Sequence, residues 1–119
     1  MKHILVADDE PNIRLLFKEE LEEEGYKVTT AEDGDAALRR VKNDPPDLVL
    51  LDIRMPNVNG LEFLGMLREI NQELPVIICT ALKGMDQEFE IWSNQVSTIL
   101  NKPIDLEELK KTVSDVLNR

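Results

Sequence analysis

Cysteine, histidine, basic charge and long apolar runs are all scarce in this chain, and each scarcity removes a class of function. The one cysteine, Cys79, has no partner for an internal disulfide. It lies in the apolar run Val76-Ile77-Ile78-Cys79, where a buried, inert thiol is expected. The one histidine, His3, precedes the first strand-like segment; without a second His or Cys it makes no metal site, and a surface role is expected. No apolar run approaches the ~20 residues of a membrane span, and Met1-Lys2-His3-Ile4 leads straight into a strand-like segment with no signal peptide to read. The expectation is a cytoplasmic protein with no membrane partner. Basic residues number 14 against 24 acidic ones, for a net charge of −10. That balance argues against nucleic acid or an anionic membrane as a direct partner. The glycines form no Walker or dinucleotide-binding pattern. We find no internal repeat, low-complexity tract or linker.

What is present suits an ordinary globular protein. The chain has 119 residues, 42% of them hydrophobic and 32% charged, which predicts one domain over 1–119 with a core that needs no disulfides. Strand-like and helix-like patterns alternate throughout. Ile4 to Ala7 is a short apolar run, and Pro11 then suits the first turn of a helix carrying Ile13, Leu16, Phe17 and Leu21, closed by Gly25. Lys27 to Ala31 is weakly apolar. Asp33-Gly34 opens a second helix with Ala37, Leu38 and Val41, which Pro45-Pro46 closes. Leu61, Leu64, Leu67 and Ile70, with Phe63 beside them, predict a third helix, and Val76 to Thr80 a further strand. Met85, Phe89 and Trp92 share one face if Gly84 to Ser93 is helical. Thr98 to Asn101 is a short last strand, and Asp105 with Glu108 makes a capping-box-like start for a last helix with Leu106, Leu109, Val113, Val116 and Leu117.

Five strand–helix units in alternation predict an α/β fold with a five-stranded parallel sheet, doubly wound by five helices. The first, third and fourth strands are continuously apolar and belong in the middle; the second and fifth are mixed or short and belong at the edges. Orders 2-1-3-4-5 and 2-3-1-4-5 both satisfy this.

The stretch Pro46 to Pro56 organises the rest. Leu48-Val49-Leu50-Leu51 is an unbroken apolar run, expected to be a strand buried on both faces, and it stops at a carboxylate, Asp52. An Asp after a strand is also a common turn residue or helix cap. In an open parallel sheet, however, chemistry sits just beyond the carboxyl ends of the strands. The first strand ends in Asp8-Asp9, the third in Asp52, the fourth in Thr80 and the fifth in Lys102. Two carboxylates within about 5 Å repel by roughly 3 kcal/mol at an effective dielectric near 20, so three require compensation. A hard divalent cation with oxygen ligands supplies it, and Mg²⁺ fits best. A carboxylate beside Mg²⁺, with a lysine and a hydroxyl aimed at the same point, is a place to receive a phosphoryl group.

Together Ile4 to Glu10, Pro46 to Pro56, Gly60, Thr80-Ala81 and Lys102-Pro103 resemble the receiver domain of bacterial response regulators, over essentially the whole chain. The resemblance implies a flavodoxin-like sheet in the order 2-1-3-4-5. It implies that Asp52 is phosphorylated by a histidine kinase or a histidine phosphotransfer protein, and that the domain then switches its docking to a downstream protein target. It also implies that Asp8, Asp9 and Asp52, with the backbone carbonyl of Arg54, hold Mg²⁺, that Thr80 and Lys102 bind the phosphoryl oxygens, and that a cis peptide precedes Pro103. The domain would catalyse only its own phosphoryl transfer and dephosphorylation. Nothing follows Arg119, so either a stand-alone receiver or one cut from a longer regulator is expected.

Three positions depart from the family pattern. Ile99 stands where receivers usually carry an aromatic residue, Gln95-Val96 where a Gly-Ala pair is usual, and Trp92 where a small residue is usual. All three fall in the region the family uses for output. Since Ile99 has no ring to turn, the response to phosphorylation is expected from residues 81–96, with Trp92 as its reporter. Two other readings compete with this one. A haloacid-dehalogenase-type phosphatase would carry Asp-x-Asp, and Asp52-Ile53-Arg54 lacks the second acid. A degenerate receiver serving as a phosphorylation-independent docking module would usually have lost the acceptor Asp or the Lys, and both are present.

Overall fold

The structure is a computed structural model that describes residues 1–82, 84 and 95–119. Five strands, β1 (His3–Ala7), β2 (Lys27–Ala31), β3 (Leu48–Leu51), β4 (Val76–Thr80) and β5 (Thr98–Asn101), alternate with helices. Four helices lie among the described residues: α1 (Pro11–Glu23), α2 (Gly34–Asn43), α3 (Gly60–Ile70) and α4 (Leu106–Leu117). The helix expected over 84–93, with Met85, Phe89 and the reporter Trp92, falls outside the described residues save for Gly84. No described helix is long and apolar enough to cross a membrane.

All strand pairings are parallel, and the order is β2-β1-β3-β4-β5. Of the two orders compatible with the apolar patterns, the pairing of β1 with both β2 and β3 selects 2-1-3-4-5. The three continuously apolar strands are buried along their whole length because helices cover both faces. Alternate residues feed opposite layers. Leu5, Val49, Leu51 and Ile78 pack with Phe63, Leu64 and Leu67 of α3 and with Ala37 and Val41 of α2. Ile4, Leu48, Leu50 and Ile77 pack on the other face with Phe17 and Leu21 of α1 and with Leu109, Val113 and Val116 of α4. Cys79 is buried in this second layer, where burial pushes its thiol pKa up to about 12 and keeps it protonated.

The helix ends follow their sequence signals. Pro11 occupies the first turn of α1, and Gly25 closes that helix at φ +93°, a backbone conformation that glycine reaches without Cβ strain. The Asp33 carboxylate accepts the Ala36 N–H at 2.8 Å, and Asp105 accepts from Glu107 and Glu108 at 2.8 and 3.2 Å. A reciprocal capping box stands at the start of α3: Glu62 N–H donates to Asn59 Oδ1 at 2.9 Å, and Asn59 N–H to Glu62 Oε1 at 3.4 Å.

Several side chains lie elsewhere than expected. His3 is no surface residue; it opens β1 and is only 7% exposed. Its Nε2 lies 2.9 Å from Thr29 Oγ1 on the neighbouring strand, and its main chain exchanges hydrogen bonds with Asp47. A polar ring is tolerated there because each buried group has a partner. Leu16 and Ile70, expected on apolar stripes, are 40% and 50% exposed. The buried face of α1 centres on Phe17 and Leu21, which turns Leu16 outward. Ile99 is half-buried against the α2–α3 layer.

Candidate functional site

The carboxyl ends of β1, β3, β4 and β5 lie side by side, so the register of the sheet decides which side chains can meet. Asp8 follows β1 and has its backbone fixed at both ends. Its N–H donates to Ala31 O at 3.1 Å, and its carbonyl accepts from Arg14 Nη1 at 2.7 Å. Asp52 follows β3, and its N–H donates to Ala7 O at 2.9 Å, continuing the β1–β3 ladder. Lys102 follows β5, and its N–H donates to Thr80 O at 2.7 Å. The peptide between Lys102 and Pro103 is cis, as the family resemblance implied.

Asp8 and Asp52 are buried, at 2% and 5% exposure, while Asp9 is exposed. Lys102 Nζ reaches three neighbouring acids: Asp8 Oδ2 at 2.7 Å, Asp52 Oδ2 at 3.3 Å and Glu10 Oε1 at 3.4 Å. The other Asp8 oxygen accepts the Glu10 N–H at 2.9 Å, and Asp52 Oδ1 accepts the Arg54 N–H at 3.2 Å. Thr80 is fully buried at the end of β4, and its hydroxyl accepts the Leu82 N–H at 3.1 Å rather than engaging Asp52 or Lys102. An open cleft of about 280 Å³ lies over this rim, lined by Asp9, Glu10, Asp52, Arg54, Ala81 and Lys102.

Burial, and then the adjacent Asp8 carboxylate, raise the pKa of Asp52; Lys102 and the Arg54 N–H offset only part of this. For Lys102, burial favours the neutral amine, but Asp8 and Asp52 outweigh it and hold the ammonium firmly protonated. Carboxylate oxygens of Asp8, Asp9, Glu10 and Asp52 all lie within 4.8 Å of one another. With all of them ionised, a single ammonium leaves most of the negative charge uncompensated. The donor set is wholly oxygen, and hard, small divalent cations suit it.

The structure thus brings together Asp8, Asp9, Asp52, Lys102 and the Arg54 backbone, and puts Thr80 on the adjacent strand end. Glu10 is the member of the cluster to which sequence reasoning assigned no role. Its only signal was its place in the run Asp8-Asp9-Glu10, where an acid at a helix start is equally well explained by the helix dipole.

Comparison with known proteins gives one consistent result. The family model described as "Response regulator receiver domain" matches residues 4–114. Sporulation initiation phosphotransferase F of Bacillus subtilis is 37% identical over 96% of this chain and 92% of its own length. Transcriptional regulatory protein GlrR of Escherichia coli is 32% identical over 98% of this chain, which spans only 26% of GlrR. Among solved structures, response regulator protein TrrA from Thermotoga maritima, in complex with Mg(2+)-BeF, superposes with a TM-score of 0.89 at 42% identity, covering 98% of this chain and 99% of TrrA. The chain belongs to the response regulator receiver domain family of two-component signalling.

Proposed function

We propose that Asp52 takes a phosphoryl group from the phosphohistidine of a histidine kinase or a histidine phosphotransfer protein, and that residues 1–119 act as one receiver domain. The observation that carries this reading is a buried carboxylate at the end of β3, 3.3 Å from a lysine ammonium and open to a cleft. An Asp52 oxygen attacks phosphorus in line. The P–N bond breaks as the O–P bond forms, and the departing imidazole keeps the electron pair and takes up a proton from solvent. Lys102 presents its fixed charge to the phosphoryl oxygens. The Thr80 hydroxyl uses its oxygen to accept from Leu82, so its proton is free to donate to an incoming phosphoryl oxygen. Water later hydrolyses the acyl phosphate and restores Asp52.

Asp8, Asp9 and Asp52, with the Arg54 carbonyl, are the groups that would hold Mg²⁺, and the close acidic cluster supports that choice. Bound there, Mg²⁺ supplies positive charge against both the carboxylates and the phosphoryl oxygens. Downstream, the phosphorylated domain docks on a protein target, acting as a signalling switch rather than as an enzyme on other substrates. A cytoplasmic location fits a kinase partner of this kind.

Treating the protein with a small-molecule phosphodonor and Mg²⁺, then locating the added mass by peptide mass spectrometry, tests the assignment. One phosphoryl group on Asp52, lost in Asp52→Asn, is expected. Equal labelling of the Asp52→Asn protein would overturn it.

A further inference from the structure

A second and larger cleft, of about 500 Å³, lies at the outer edge of the sheet beside β2 and shares no lining residue with the Asp52 cleft. Arg14 of α1, Arg39 and Arg40 of α2, and Thr30 of β2 line it, with Glu32 and Asp44 as its acids. Three arginines lining one concavity stand out in a chain of net charge −10. Neither acid forms an ion pair with these arginines among the described residues. Asp44 is bound by Lys27 Nζ at 2.8 Å, and Glu32 is exposed. Asp33 and Asp44 act on Arg39 and Arg40 through space, but neither guanidinium makes a hydrogen bond or ion pair among the described residues. Arg14 is held differently: its Nη1 donates to the Asp8 carbonyl at 2.7 Å. That bond uses a single donor of the group, so the guanidinium is oriented while most of its fork stays available.

A fork held in place and two unpaired guanidiniums match the tetrahedral oxygens of a phosphate, which arginine binds in a bidentate manner. The volume falls within the roughly 300–1,000 Å³ of small-molecule sites, larger than bare phosphate fills. We propose that this cleft binds a phosphomonoester of about mononucleotide size, its phosphate on Arg14, Arg39 and Arg40. The site is separate from phosphoryl transfer at Asp52 and stands whether or not that reaction occurs.

The test is a calorimetric titration of the full chain with AMP, in metal-free buffer at low salt because these contacts are screened by ions. Saturable one-site binding with a Kd below about 1 mM is expected. Adenosine and inorganic phosphate should each bind at least tenfold more weakly, one lacking the anion and the other the organic body. The double variant Arg39→Gln/Arg40→Gln should lose at least tenfold in affinity with an unchanged circular dichroism spectrum. Lys110→Gln/Lys111→Gln makes the same charge change on α4 and should keep wild-type affinity. Absence of saturation up to roughly 10 mM AMP overturns the proposal. So does wild-type affinity in the double arginine variant, or equal losses in both double variants, which would mean a general charge effect.

Discussion

At Asp52, the feature that suits a phosphoryl acceptor also works against the fold. Burial and the Asp8 carboxylate raise its pKa, so the folded protein favours the protonated acid more than the unfolded chain does. A raised carboxyl pKa contributes stability at pH values below the unfolded value near 3.8, and that contribution is lost as pH rises through the folded pKa. At neutral pH the ionised Asp52 is therefore a net cost in the metal-free protein. Asp52→Asn keeps the shape and removes the charge, while Lys102 retains its 2.7 Å contact with Asp8. In chelator at pH 7 the variant should melt higher by a few degrees, given that ~1 kcal/mol moves Tm by about 4 °C in a domain of this size. The advantage should vanish below about pH 4. Thermal melts of both proteins across this pH range check it, and a variant less stable than wild type at pH 7 would show that the Lys102–Asp52 contact outweighs the repulsion. His3 carries a different lesson at the same scale. Its burial was illegible in the sequence because its partners, Thr29 and Asp47, are distant along the chain and meet it only through strand pairing.

Among the elements, α3 shows how closely the site depends on backbone approach. Gly60 N–H donates to Ile53 O at 2.9 Å, and a Cβ on Gly60 would run into the Asp52 carbonyl oxygen and come within 2.7 Å of Ile53 Cα. Neither obstacle is a flexible side-chain end. Gly60→Ala should therefore destabilise the protein by about 2–3 kcal/mol and slow phosphorylation by shifting Asp52; a denaturant melt and a labelling time course read the two effects. The loop before β5 holds a strain of another kind. Gln95 sits at φ +62°, where the family usually has glycine, while its carbonyl accepts from Arg68 Nη2 at 3.3 Å and the next residue, Val96, is buried. The side chain of Gln95 is exposed, so Gln95→Gly removes only the left-handed strain, less glycine's own entropy cost. A net gain of about 0.5–1 kcal/mol is expected, and an unchanged denaturation midpoint would contradict it. The departure at Gln95 was visible in the sequence, but its conformational meaning needed the backbone angle. The Asn59–Glu62 capping box, by contrast, is written in the residues themselves, an Asn and a Glu at the right spacing at the head of an apolar helical pattern.

Over the whole molecule, the apolar patterns identified the central strands because burial on both faces leaves no polar alternation. They could not choose between two strand orders, since both orders bury the same three strands and pair β1 with β3; only the β1–β2 and β3–β4 pairings distinguish them. The site was legible for a related reason. Parallel strands share one carboxyl end, so any charged residue that closes a strand joins the same rim, as Asp8, Asp52 and Lys102 do. That rim couples metal to global stability. Four carboxylates within 4.8 Å, drawn from the ends of two strands far apart in the chain, exist as a cluster only in the folded protein. A divalent cation that binds the cluster must stabilise the fold by mass action, by about 1.4 kcal/mol once it is roughly tenfold above its Kd. Mg²⁺ should thus raise Tm in a concentration-dependent way. Asp9 is exposed and has no part in the core, so Asp9→Ala should leave the metal-free Tm nearly unchanged while removing the Mg²⁺-dependent rise. Scanning both proteins against Mg²⁺ concentration separates the cases. A variant that gains as many degrees as wild type would mean that the cation binds somewhere other than the Asp8–Asp9–Asp52 rim.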